Sequence, residues 1–311
     1  MRISFGSDCT GIGCPESALE SLNIDYSYEF SSECDIHAKK QLDSHYNSPR
    51  LFYEDLTQRN VDDMPTVDLY VAGFPCQSWS TLGKTNGFND KRGSIFFYIF
   101  EYIEKKRPHN FILENVIHLV SHDSGKSFEF ILGKLKSLDY TIHWKILNSK
   151  DFGVPHNRRR LYIVGTKRSD FTFPEALQTT PKLEDFLDLG NINPKQPTKN
   201  NILALNKIKQ DFSEKNIDID NHFHILDLGV SIYRTRCGEI GLCPCLRTRC
   251  ERYWVTKLNR FLFPHEALWL QGFDKSWESV CSETQTFKQA GNTMTKNVIQ
   301  AIIKNLFSNL S

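Results

Sequence analysis

Short apolar runs and amphipathic stretches alternate along the first half of the chain. The runs at 3–5, 26–31 and 67–72 read as strands, and the stretches at about 15–22 and 36–45 repeat apolar residues at helical spacing. The alternation continues through a helix at about 94–106, a strand at 110–113, a helix at about 126–138, and strands at 141–147 and 161–165. Strands separated by helices of this length predict an α/β fold, a Rossmann-like, doubly wound and mostly parallel sheet.

Regularity fades after about residue 169. Residues 178–201 are rich in Pro, Asn, Lys and Thr and read as loop or linker, and periodicity stays weak to about 256. A helix-like stretch follows at 264–270, and an apolar stripe at helical spacing over 296–306 predicts a closing helix docked on the core. The expected organisation is a first domain of 1–169 completed by 285–311, and a smaller domain of 170–284. No internal repeat is visible.

A chain of 311 residues, 40% hydrophobic and 24% charged, has the make-up of a soluble globular protein, and no apolar run approaches the roughly 18 residues of a membrane helix. The N-terminus runs directly into the first strand pattern without the marks of a signal peptide. An intracellular monomer without membrane association is expected, in cytoplasm or nucleoid, or in the nucleus of a eukaryotic or virus-infected cell. The nine cysteines are irregularly spaced, and reduced thiols are expected. Cys237, Cys243, Cys245 and Cys250 cluster, but their spacing fits no common zinc pattern and no metal is expected.

The net charge of +1 hides an uneven distribution. Between residues 233 and 260, Arg234, Arg236, Arg247, Arg249, Arg252, Lys257 and Arg260 face only Glu239 and Glu251. Between 14 and 36, Glu16, Glu20, Asp25, Glu29, Glu33 and Asp35 stand without a single Lys or Arg. The first region suits phosphate and the second does not.

Candidate chemistry sits where predicted strands end. Asp8-Cys9-Thr10-Gly11-Ile12-Gly13 joins the first strand to the first helix, where a glycine turn lets a cofactor approach the backbone; an ordinary tight turn is the alternative. Glu33 follows Gly13 by 20 residues at the end of the second strand, a place from which an acid accepts ribose hydroxyls. The acidic surroundings fit a cationic sulfonium cofactor better than a pyrophosphate. Cys76, in Gly73-Phe74-Pro75-Cys76-Gln77-Ser78, follows the strand at 67–72, a good address for a nucleophile, although a lone cysteine is more often a small buried apolar residue. Glu114-Asn115 closes the strand at 110–113 as an acid able to support charge on a ring nitrogen, or else as a helix cap. His156-Asn157-Arg158-Arg159-Arg160 precedes the strand at 161–165, either as a solvated basic turn or with an arginine turned inward to a carboxylate.

The order and spacing of these segments resemble the S-adenosylmethionine-dependent cytosine-5 methyltransferase family over about two thirds of the chain. The segment around Cys76 is similar to the family's nucleophile motif, and Glu114-Asn115-Val116 to its glutamate motif. Residues 152–160 resemble the segment ending Gln-x-Arg-x-Arg, with His156 in place of Gln and Arg158 and Arg160 as the two arginines. Arg260 to Ala267 with Leu270-Gln271-Gly272-Phe273 resembles the motif that packs the recognition region, and Gln289-Ala290-Gly291-Asn292-Thr293 the last motif, which returns to the cofactor pocket. One segment departs: the family usually reads Asp-Leu-Phe-x-Gly-x-Gly, whereas Ser7-Asp8-Cys9-Thr10-Gly11-Ile12-Gly13 moves the acid by one place and puts Cys9 for the aromatic residue.

The resemblance implies a class I methyltransferase fold with a smaller target-recognition domain. It implies S-adenosylmethionine held by Asp8, Cys9, Thr10, Gly11, Ile12, Gly13, Glu33, Cys34, Asp55, Leu56, Pro75 and Asn292. It further implies catalysis by Cys76, Glu114, Arg158 and Arg160 on a cytosine flipped out of the helix. Gln77 and Ser78 of the nucleophile segment are expected at the nucleic acid, and Leu82, Lys84 and Arg92 lie in a glycine-containing loop at 79–93 that would close over it, with Leu82 or a neighbour entering the vacated space; an ordinary surface loop is the alternative. Arg247, Arg249 and Arg252 are the expected guanine or phosphate contacts; solvated surface charge is the alternative. A branch of the family that methylates tRNA carries a Cys-Phe-Thr tripeptide that is missing here, which favours DNA over RNA. A catalytically idle nucleic-acid-binding protein on the same fold is the other alternative. The target sequence, and membership of a restriction-modification system, are not legible.

Overall fold

A computed structural model provides the structure and describes residues 2–74, 95–192, 194–229 and 239–308. The chain forms two compact units: Met1–Leu147, Arg159–Glu175 and Ile299–Ser311 in the first, Asn148–Arg158 and Ala176–Val298 in the second. Among the described residues no helix is long and apolar enough to cross a membrane.

The first unit is built on β1 (Arg2–Asp8), β2 (Asp25–Ser32), β3 (Leu51–Tyr53), β4 (Leu69–Gly73), β5 (Asn110–Val116), β6 (Thr141–Asn148) and, numbered in chain order, β8 (Arg159–Thr166). They form one seven-stranded sheet in the order β3-β2-β1-β4-β5-β8-β6. The ladders from β3 through β5 are parallel, and β8 runs antiparallel to β5. The fold is therefore the mostly parallel α/β sheet expected. Strands β4 and β5 are buried along almost their whole length, as a sheet covered on both faces requires.

Helices α1 (Cys14–Ser21), α2 (Ile36–His45), α3 (Ile95–Lys106), α4 (His118–Ser121) and α5 (Lys126–Lys136) follow the strands. Phe96, Ile99, Phe100 and Ile103 put apolar side chains on one face of α3, and Phe128, Ile131 and Leu135 do so on α5. Both faces join Tyr70, Ala72, Phe111, Leu113, Leu161 and Ile163 of the sheet in one core cluster. Each such Leu, Ile or Phe side chain, fully buried, contributes roughly 1.5–3 kcal/mol. The closing helix α9 (Lys296–Phe307) buries Ile302, Ile303 and Leu306, and Arg168 donates to the Leu306 carbonyl oxygen at 2.8 Å. The strand order reverses direction between β1 and β4, which opens a crevice outside their carboxyl ends.

The second unit has a different make-up. Strands β9 (Ile225–Asp227), β11 (Tyr253–Val255) and β12 (Arg260–Phe261) form a small antiparallel sheet, and β10 (Cys243–Pro244) pairs with β7 (His156–Asn157). Helix α6 (Lys199–Ser213) covers the small sheet through Ala204, Leu205, Ile208 and Phe212, which pack with Leu226, Trp254 and Phe261. The sequence pattern predicts no helix there. Asn, Lys and Gln dilute its apolar stripe, and its capping box, Thr198 with Asn201, falls inside the stretch that reads as loop. Helices α7 (Pro264–Trp269) and α8 (Glu283–Asn292) complete the unit.

Candidate active site

The end of β1 and the turn after it are tied to the end of β2. The Thr10 amide donates to the Ser32 carbonyl oxygen at 3.1 Å, and the Thr10 hydroxyl lies 2.8 Å from those of both Ser7 and Ser31. The Gly11 amide donates to Glu33 Oε2 and the Asp35 amide to Glu33 Oε1, each at 2.8 Å. Burial, partly offset by these two amides, raises the Glu33 carboxyl above its ordinary range. Cys9 takes a left-handed φ of 51°, and burial, then the neighbouring Asp8 and Glu33 carboxylates, push its thiol up, so it stays protonated. Gly11 has φ 64°, and a Cβ there would meet nothing within 4 Å, which leaves open space over the turn. Ile12 is buried and Cys34 exposed. Asp55 caps the turn Leu56–Gln58 by accepting from the Thr57 amide at 2.9 Å, while Leu56 is buried beneath it.

A second group stands where β4 and β5 end. Gly73 and Glu114 are register partners, and Asn115 Nδ2 donates to the Phe74 carbonyl oxygen at 2.9 Å, fixing the backbone two residues ahead of Cys76. Arg160 pairs with Val116 across the antiparallel ladder, two residues along from the Glu114–Tyr162 pair, so both side chains share a face. Arg160 Nε lies 3.2 Å from Glu114 Oε1, with both side chains largely buried. Pro75, Cys76, Gln77, Ser78, Leu82, Lys84 and Arg92 lie outside the described residues.

The remaining expected residues belong to the second unit. Arg158 Nη1 donates to the Leu246 carbonyl oxygen at 3.0 Å and Nη2 to that of Thr293 at 2.8 Å. His156 is fully buried between the Leu270 carbonyl oxygen, 3.1 Å from Nδ1, and the Leu246 amide, 3.0 Å from Nε2. A carbonyl only accepts and an amide only donates, so His156 is neutral with its proton on Nδ1. Both main-chain polar groups of Leu246 are thus held by side chains of one short segment. Gly291 packs against the next peptide: a Cβ there would come within 2.3 Å of the Arg247 carbonyl carbon. Residues Arg247, Thr248 and Arg249 project into solvent between buried Leu246 and Cys250. Arg247 is tied to buried Asp227, and Arg252 Nε lies 3.8 Å from Glu251. Asn292 ends α8 and is exposed.

The sequence pattern of C-5 cytosine-specific DNA methylases matches residues 3–308. The chain belongs to that family. Among its relatives, the Type II methyltransferase M.SsoII of Shigella sonnei is 34% identical over 96% of the chain and 79% of its own length. Type II methyltransferase M.HhaI of Haemophilus parahaemolyticus is 30% identical over 97% of the chain and 93% of its own length. Solved structures agree in fold: the Entamoeba histolytica methyltransferase EhMeth covers the whole chain with 99% of its own at a TM-score of 0.71 and 18% identity. Dnmt2 of S. pombe matches over the full length of both chains at a TM-score of 0.71 and 17% identity.

For a DNA cytosine-5 methyltransferase, several side chains in these sites had no visible signal in the sequence. His156 stands where the family's Gln was expected, and its use as a strut follows only from its buried partners. Arg59 on the turn after β3, Tyr70 within β4 and Glu16 on α1 also bury their side chains around the first motif, although nothing in the sequence connects them.

Proposed function

We propose that the protein transfers a methyl group from S-adenosylmethionine to carbon 5 of a cytosine flipped out of a short specific DNA sequence, through a covalent adduct of Cys76. The observation that carries this reading is the Glu114–Arg160 pair at the carboxyl edge of the sheet, opposite the strand that leads to Cys76.

The cofactor fits the residues present. The space over Gly11 is open, the Glu33 carboxylate is oriented by two amides, and Asp55 is exposed at the next turn. Carboxylates accept from ribose hydroxyls and from an amino group and are compatible with a sulfonium cation, while Arg59, close to the turn, is neutralised by Asp8. Glu33, Asp55 and the Cys9–Gly13 turn hold the cofactor in this reading. When bound, it supplies an electrophilic methyl group.

The protein's part is to make carbon 5 nucleophilic. The Cys76 thiolate adds to carbon 6 as the Glu114 carboxylic acid gives its proton to the ring nitrogen, and Arg160 fixes the Glu114 group. Carbon 5 then takes the methyl group, its proton passes to solvent water, and the carbon 6–sulfur bond breaks to restore the thiolate as the ring nitrogen returns its proton to Glu114. Recognition falls to the second unit, where Arg249 and Thr248 project from a held loop while Arg247 acts as a strut on Asp227. The Type II relatives support a place in a restriction-modification system and DNA over tRNA as substrate.

The test is to incubate the enzyme and S-adenosylmethionine with duplex DNA containing 5-fluorocytosine at target sites. The fluorine blocks release, so a denaturation-resistant protein–DNA adduct is expected, and none with Cys76→Ala. Undiminished methyl transfer by Cys76→Ala would overturn the reading.

A further inference from the structure

The acid displaced by one place in the first motif is part of a buried four-way junction. The side chains of Asp8 and Arg59 are both fully buried and form a two-pronged ion pair, in which Arg59 Nη2 lies 2.6 Å from Asp8 Oδ2 and Nη1 binds Oδ1. Tyr70 Oη donates to Asp8 Oδ2 at 2.5 Å, and Ser32 Oγ to Oδ1 at 2.8 Å. The Arg59 guanidinium lies among the rings of Phe30, Tyr53 and Tyr102, with ring centroids 5.6–5.9 Å away. One carboxylate therefore joins the ends of β1 and β2, the middle of β4 and the turn after β3.

Those are the walls of the proposed cofactor site. Asp8 immediately precedes Cys9, which holds a left-handed φ, and Ser32 immediately precedes Glu33. Arg59 closes the turn that begins at Asp55 and Leu56. Where the family resembled by this sequence usually has Leu at the place of Asp8, the junction could be apolar. A buried ion pair is a costly substitute for apolar packing and gains little net stability, but its geometry is directional where that of a leucine is not.

We propose that Asp8 and Arg59 are positioning residues that set the spacing between the Cys9–Gly13 turn and the Asp55–Leu56 turn, and so determine cofactor affinity without touching the cofactor. This rests on the cofactor reading above. It assigns to Asp8 a role behind the site, since every oxygen of its carboxylate is already bound to protein donors.

The test compares the parent enzyme with the apolar pair Asp8→Leu/Arg59→Met and with Tyr70→Phe. The measurements are the dissociation constant for S-adenosylhomocysteine by calorimetry, steady-state methyl transfer, and thermal melting. The double variant removes both charges together and is expected to fold. Its dissociation constant and its KM for S-adenosylmethionine should rise about tenfold or more, with KM for DNA unchanged and kcat at saturating cofactor within about threefold, where a tenfold change corresponds to about 1.4 kcal/mol. Tyr70→Phe should shift both cofactor constants the same way by about threefold. A folded double variant that binds within twofold of the parent overturns the proposal. If the double variant does not fold, Tyr70→Phe decides: unchanged cofactor constants overturn the proposal, and a selective rise supports it. A parent that binds no S-adenosylhomocysteine overturns the cofactor reading itself, a result distinct from parent and variants binding alike.

Discussion

The two units hold their chains by different means. In the first, strand ladders satisfy the backbone and the centre is an apolar cluster, while buried polar side chains gather at strand ends around the candidate site. In the second, strands are two or three residues long, and long polar side chains do the work of ladders. Arg158 and His156 grip Leu246, Gln271 Nε2 donates to the Ala290 carbonyl oxygen at 2.5 Å, and Tyr253 Oη donates to that of Cys245 at 2.8 Å. Buried main-chain groups outside regular structure must find partners, and here side chains supply them. A sheet offers a site only at its ends. A loop held by struts can follow an irregular path and still present Thr248 and Arg249 in a fixed place, which suits a surface that reads a target.

The comparison breaks most directly at Arg260. Its guanidinium donates to Glu266 at 3.0 and 2.5 Å and also to the carbonyl oxygens of Asp188 and Phe261, while Glu266 accepts from the amides of Asp188 and Phe263 at 2.7 Å. Both side chains are almost fully buried. Arg260→Met leaves buried Glu266 without its counter-charge, so urea unfolding should show a loss of about 3–5 kcal/mol. Arg260→Met/Glu266→Leu should recover part of it. A loss below about 1 kcal/mol for the single change would mean that apolar packing, not polar struts, carries the second unit.

The same contrast explains what could be read from the sequence. Periodicity depends on apolar residues facing a core, so β1, β2, β4, β5 and the helices between them were legible, as were the acidic and basic segments, whereas β3, three partly buried residues at the sheet edge, was not. Glu114 and Arg160 were legible as a pair because their motifs carry them, and the antiparallel register of β5 and β8 brings them together. Polar struts leave no periodic trace. His156 and Arg158 look like any basic turn until the carbonyl and amide of Leu246 are placed beside them, some ninety residues further along the chain. The Asp8–Arg59 pair is equally silent, since its spacing of 51 residues reflects only the crossover between strands.

Glu16 tests whether buried polar groups in the first unit carry a comparable cost. It sits in the first turn of α1, fully buried, accepting from Tyr28 Oη and from Ser7 Oγ at 3.3 Å, and burial pushes its carboxyl up to about 7. The protonated form is therefore favoured on folding: the stability it supports is complete below the unfolded value near 4.5 and is lost as pH rises through about 7. Between pH 6 and 8.5 the parent should lose about 1–2 kcal/mol from this group. Glu16→Gln keeps the shape without the titration, so its melting temperature should fall less over the same interval. Parallel pH profiles for the two proteins would show that the carboxyl titrates in an ordinary range.

The smallest expected effect concerns α6, a long element of the second unit that satisfies its own end locally. The Asn201 amide donates to Thr198 Oγ1 at 3.2 Å and the Thr198 amide to Asn201 Oδ1 at 3.0 Å. Thr198→Ala removes one acceptor from an exposed helix start and should cost about 1 kcal/mol. Hydrogen exchange should locate that loss at the Asn201 amide and the first turn, leaving Leu226, Trp254 and Phe261 protected as before. If protection of the small sheet fell equally, α6 and the sheet would be one cooperative element, and the capping box would belong with the struts that hold the second unit instead of standing as its local exception.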